Sequence, residues 1–134
     1  MKKRIKSNIK TSLIILLLFS SITSIGLLVN NFLNNTSYSL LNSICVIQLN
    51  IEHDNWDVSY NEIMKLKSEW EKDKKIWSAL IHHDEIDKIS ENMELLIEYI
   101  KAKDKTNSLS HIAVLKNYIE HIPELDKLSL QNIF

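Results

Sequence analysis

Two clusters in this 134-residue chain have the side chains for chemistry: His82-His83-Asp84-Glu85, and Glu120-His121 followed by Glu124. Neutral imidazole and carboxylate oxygen both ligate Zn, Fe or Mn. His83, Glu85 and His121 could therefore supply three metal ligands and leave a fourth position open to water. The spacing matches neither paired Glu-x-x-His motifs nor His-Glu-x-x-His, so a metal is one reading of these residues and ordinary helix termini are the other. In the second reading Asp84 caps a helix, His121 favours the negative end of another, and the acids are solvated. His53 and His111 stand alone. Trp56, Trp70 and Trp77 could line an aromatic pocket, but their helical spacing suits a core that each would fill with about 150–250 Å² of buried surface. No Gly-x-Ser-x-Gly elbow, phosphate-cradling glycine loop or Cys/His pair is present. The chain is thus expected to be no enzyme and to carry no cofactor.

Whatever these residues do, helices must position them. Leu33, Ser37, Leu40, Ile44, Ile47 and Ile51 recur at spacings of 4, 3, 4, 3 and 4, one stripe of a first helix. His53-Asp54-Asn55 breaks it. Tyr60, Ile63, Leu66, Trp70, Trp77 and Leu80 mark a second, with Asp73 in the stripe forcing a bend or an exposed turn. Ile86, Ile89, Met93, Leu96 and Ile100 mark a third, opened by Asp84. After a break at Asp104–Asn107, with Thr106 or Asn107 as cap, Leu109, Ile112, Leu115, Ile119 and Ile122 mark a fourth that Pro123 should stop. Gly26 and Pro123 are the only glycine and proline, too few for the tight turns of a small β fold. The predicted fold is all-α: an N-terminal transmembrane helix followed by an up-down antiparallel bundle of about four helices. Cys45, the single cysteine, permits no internal disulfide and is expected as a buried free thiol.

The transmembrane assignment rests on charge. From Thr11 to Ile51 there are 41 residues without Asp, Glu, Lys or Arg. Lys2, Lys3, Arg4, Lys6 and Lys10 precede that stretch, and every acid follows it. The apolar run from Leu13 to Leu33 is 21 residues long, about 31 Å of helix against a hydrocarbon core of roughly 30 Å. A cleaved secretory signal is the competing reading, but no A-x-A-like site follows and the run exceeds a usual signal core. The expected organisation is a basic cytoplasmic head over 1–10, an anchor over 11–33 in the lipid bilayer, and an extracytoplasmic bundle over 34–134 in a single-pass protein of the cell membrane. Outside the head, eleven Lys oppose seventeen acids, a balance unsuited to nucleic acid. With the first helix rising from the bilayer, His83 and His121 fall at the membrane-proximal end. So does the apolar terminus Asn132-Ile133-Phe134, a candidate partner-binding segment.

Several segments carry a resemblance: Trp70 with Lys74-Lys75-Ile76-Trp77, His83-Asp84-Glu85-Ile86-Asp87, Ile119-Glu120-His121-Ile122-Pro123, and Leu128-Ser129-Leu130-Gln131-Asn132-Ile133-Phe134. Over nearly the whole length the chain resembles a family of small anchored bacterial proteins known as domain of unknown function 4363. The resemblance implies an anchor with a helical outer portion and no activity. It singles out His83, Glu85, His121 and Asn132 for mutation, with Asp84 standing where the family pattern leads one to expect Glu. The functional expectation is an interaction or accessory module for another membrane protein, or one that self-associates. The alternative is a ligand or metal sensor built on His83, Glu85 and His121.

Overall fold

A computed structural model describes the backbone of residues 2–131 and the side chains of residues 9–122. Four helices account for the fold, α1 (Lys2–Glu52), α2 (Trp56–Trp77), α3 (His83–Lys101) and α4 (Lys105–Gln131), with no strand among the described residues. The chain divides into two compact units, Met1–Phe32 and Leu33–Phe134.

The first unit is the early part of α1. From Ile9 to Leu28 its large apolar side chains are all in the open, from Leu13 at 53% to Leu17 at 69% exposed, while Val29 and Phe32 are half-buried. Its hydroxyls are bonded within the helix: Ser21 Oγ donates to Leu18 O at 2.8 Å, Thr23 Oγ1 to Phe19 O at 2.9 Å and Ser24 Oγ to Ser20 O at 2.8 Å. Such back-bonding leaves few polar groups in need of water.

The second unit is an antiparallel bundle whose core follows the stripes. Leu33, Ser37, Leu40, Ile44, Ile47 and Ile51 of α1 are all buried, as are Ile86, Ile89, Met93, Leu96 and Ile100 of α3, with Ile97 joining them. In α2, Ile63, Leu66, Trp70 and Trp77 are buried, while Trp56 and Tyr60 are only half-buried. Asp73 sits half-buried inside an uninterrupted helix. Leu80 lies beyond the end of α2 and is exposed, because the stripe loses its meaning once the helix stops. In α4, Ser108 takes the first inward position and Leu109 is half-buried.

Three expectations are overturned. Cys45 is exposed rather than buried, since it lies a quarter-turn from Ile44 on a helix with only one inward face. Helix α4 continues through Pro123 to Gln131. Proline removes one N–H donor and crowds one carbonyl, while the residues after it can still bond four positions back. The predicted caps also move: α3 starts at His83 with His82 as an N-cap that makes no side-chain bond, which leaves Asp84 inside the first turn. Asp104 then takes the capping place assigned to Thr106 or Asn107, with Asp104 Oδ1 accepting Asn107 N–H at 3.1 Å.

With no glycine at the helix ends, two other residues adopt the left-handed conformation, Asp54 at φ 59° and Lys103 at φ 55°. Each closes its helix by the same pair of bonds. Asn55 N donates to Asn50 O at 2.8 Å and Asp54 N to Ile51 O at 3.0 Å; Asp104 N donates to Tyr99 O and Lys103 N to Ile100 O, both at 3.0 Å. These are Schellman closures, which usually place glycine at the left-handed position.

Candidate functional site

The two ends of the bundle differ in how they are held. At one, Lys105 Nζ donates to Glu52 O at 2.7 Å and to Asp54 Oδ1 at 3.1 Å, fastening the start of α4 to the end of α1. The ammonium meets a carbonyl with no partner inside α1, at the negative end of that helix. Asp104 completes the closure. Its carboxylate takes the backbone N–H and the side-chain amide of Asn107, with help from the Thr106 N–H, and these bonds hold its pKa below the ordinary carboxylate value.

The opposite end is organised by tryptophan. Trp77 Nε1 donates to Thr36 Oγ1 at 3.0 Å, and Thr36 Oγ1 donates in turn to Leu33 O at 3.2 Å. Trp70 repeats the device across α2 and α3, donating to Ser90 Oγ at 3.0 Å, whose proton goes to Ile86 O at 2.9 Å. The two indoles meet edge to face, centroids 5.2 Å apart and planes at 84°. A buried indole N–H needs an acceptor, and here a hydroxyl both accepts it and stays bonded to its own helix. Trp70 and Trp77 are thus part of the core, and Trp56 is half-buried.

The predicted metal residues belong to this same end. His83 and His121 are both exposed, and Glu85 is half-buried. Glu85 Oε1 accepts from Lys88 Nζ at 2.8 Å, a contact that raises the Lys88 pKa, with Nζ also 5.9 Å from the Tyr118 ring centroid. Among the described residues no three His, Cys, Asp or Glu side chains gather where they could hold a metal ion. Helices α3 and α4 pack side by side, and Glu85 is turned to Lys88. Asn132, Ile133 and Phe134 lie outside the described residues.

Sequence reasoning passed over one histidine contact. His111 stacks on Tyr99, centroids 5.0 Å apart, and its Nδ1 lies 3.0 Å from Asn92 Oδ1. The positions 92, 99 and 111 share the α3–α4 interface, and the antiparallel register was the only available clue. Two buried hydroxyls, Ser37 Oγ and Ser108 Oγ, have no hydrogen-bond partner.

The outer side of α1 also stands apart. Asn35, Tyr38, Asn42, Cys45 and Leu49 are exposed at spacings of 3, 4, 3 and 4, on the face turned away from the core stripe, with Val46 beside them. No charge interrupts this face before Glu52, whose Oε1 accepts from Gln48 Nε2 at 2.7 Å. The outer faces of α2 and α3 carry Asp57, Lys65 and Lys72, and Asp87, Glu91 and Glu98, respectively.

By length and composition α1 contains one stretch long and apolar enough to cross a membrane. No curated protein and no solved structure gave a significant match to the chain. The model of the family described as Domain of unknown function (DUF4363) matches residues 27–133, most of the chain and nearly all of the bundle, and the chain belongs to that family.

Proposed function

We propose that residues 11–33 anchor the protein in a bilayer with the basic head in the cytoplasm, and that the bundle works outside as a non-catalytic docking module for another membrane protein. One observation carries the reading. Leu13, Ile14, Ile15, Leu16, Leu17, Leu18, Phe19, Ile22, Ile25, Leu27 and Leu28 are each more than half exposed, on a stretch without charge. Apolar surface on this scale is costly in water and favourable in hydrocarbon. At about −0.3 to −0.6 kcal/mol per residue, the run supplies on the order of −5 kcal/mol for insertion. The hydroxyls of Ser21, Thr23 and Ser24, bonded to their own helix, reduce what the polar residues in the run subtract.

The five cations ahead of the run set the orientation through the positive-inside rule. A cysteine at exposed Asn117 tests it, in a Cys45→Ser background. Labelling of intact cells by a membrane-impermeant maleimide is the expected result, and labelling only after lysis would reverse the topology. Docking is tested by crosslinking the full chain in native membranes and identifying what is captured. A membrane protein recovered reproducibly supports the module, and failure to recover any stable partner counts against it.

A further inference from the structure

We infer that the connection between α2 and α3 rests in the headgroup layer of the bilayer that holds the anchor, with Ile76, Ala79 and Leu80 against the lipid; this rests on the proposed anchor. Level along α1 decides it. The anchor ends at Leu33, and Thr36 lies three residues further along the same helix, about 4.5 Å of rise. The headgroup zone on each side of a bilayer is roughly 5–8 Å deep. Trp77 Nε1 donates to Thr36 Oγ1 at 3.0 Å, so the end of α2 is level with that zone. Because α2 runs antiparallel to α1, the residues after Trp77 continue toward the lipid. They go on as one more turn, in which Ala79 N donates to Ile76 O at 3.1 Å, and Leu80 N and Ile81 N both to Trp77 O at 2.9 Å. Leu80 is thereby brought to about the level of Leu33.

Composition singles this connection out from the other two. His53-Asp54-Asn55 and Ala102-Lys103-Asp104, at the far end of the bundle, hold no large apolar residue. Ser78-Ala79-Leu80-Ile81-His82 holds two, and Ile76, Ala79 and Leu80 are all exposed, Ile76 at 49%. No acid occurs from Lys74 to His83, and Lys75, His82 and His83 are exposed around the apolar residues. Apolar side chains ringed by cationic and imidazole groups suit the depth at which hydrocarbon gives way to phosphate. Glu85, the nearer acid to the bundle, is turned to Lys88. The backbone also fits, since the N–H groups of residues 78–81 are all bonded within the turn and lose little on leaving water. Two attachments, the anchor and this turn, hold the bundle in one orientation, so that a fixed side of it faces membrane proteins alongside.

Depth-dependent quenching tests the placement on the full chain. Single cysteines are introduced in a Cys45→Ser background, labelled with an environment-sensitive fluorophore and reconstituted into vesicles of phosphatidylcholine and phosphatidylglycerol. The vesicles carry a nitroxide on the lipid headgroup or on the acyl chain. Labels at Ile76→Cys and Leu80→Cys should be quenched by the headgroup nitroxide, whereas labels at His53→Cys and Ala102→Cys, in the far connections, should not. Adding Leu80→Asp should abolish the quenching at Ile76→Cys while the helical circular dichroism is unchanged. Equal quenching at all four positions overturns the placement. So does blue-shifted emission at Leu80→Cys without quenching, which would mean that protein rather than lipid covers the turn. Ile22→Cys reads the anchor separately through the acyl-chain nitroxide. Quenching there with none at Ile76 and Leu80 refutes the surface contact alone, and no quenching at any of the three refutes the anchor as well.

Discussion

Along α1, the run from Leu13 to Leu28 and the stripe from Leu33 to Ile51 are both rich in Leu and Ile and free of charge, yet they meet opposite surroundings. In the first, every large side chain is more than half exposed. In the second, Leu33, Leu40, Ile44, Ile47 and Ile51 are at most 1% exposed. What separates them is how the apolar residues are arranged around the helix. A run that is apolar on all sides suits an apolar solvent, while a single stripe suits protein on one side and something else on the other. The asparagines, serines and threonine between Asn34 and Ser43 make that difference.

The hardest test of the contrast is Trp77→Ala. A cavity of that size should cost about 3–5 kcal/mol of bundle stability, with Thr36 losing its indole partner in addition. Chemical denaturation of the full chain in detergent reads this, and an unfolding midpoint left unchanged would show that the bundle does not depend on its tryptophan end. Next comes a matched pair. Ile44→Ala should cost about 2–5 kcal/mol, while Leu16→Ala should move the same transition by less than about 0.5 kcal/mol, because the first removes core and the second removes none. Equal effects would dissolve the distinction between the two units.

Smaller effects sharpen the description of the bundle by itself. Lys103→Gly should stabilise it by roughly 1 kcal/mol, since a side chain at φ 55° is strained and glycine is not. A rise in Tm is the readout, and a fall would mean that the lysine side chain contributes more than its backbone strain costs. Asp104→Ala should lower Tm at neutral pH by loss of the cap. Because bonding in the folded state holds this carboxyl below its ordinary pKa, the stability it contributes is present above about pH 3.9 and lost as pH falls through the lower folded value. Parent and variant should therefore converge in acid, and a gap that persists there would place the effect elsewhere.

Much of the bundle was legible because helical periodicity is a statement about faces. Every residue of the α1 and α3 stripes is buried, and the antiparallel order follows from short connections. Periodicity says less about ends. Whether Asp84 caps α3 or lies inside its first turn depends on one residue of offset, which a repeat of three and four cannot resolve. Proline at position 123 read as a stop because it removes a bond, although one missing bond is compatible with a helix that carries on. Cys45 was misplaced by a habit of its residue type rather than by its position, one step from Ile44. The metal cluster could be drawn from sequence because helix order brings α3 and α4 side by side; the pairing of Glu85 with Lys88, three residues on, was equally available and is the local contact that formed.

The connections at residues 53–55, 78–82 and 102–104 have a kinetic consequence. Helix α3 packs on α2 and α4 on α3, so the bundle is rich in contacts between neighbours in sequence, the pattern of topologies that fold in microseconds to milliseconds. Synthesis at about 5–20 residues per second is far slower, so the hairpin of α2 and α3 can form while α4 is still unmade. The bonds from Lys105 to Glu52 and Asp54, and from Lys116 to Gln48, join residues more than fifty positions apart. They await the last helix, and their formation marks the moment at which a growing chain becomes a finished bundle.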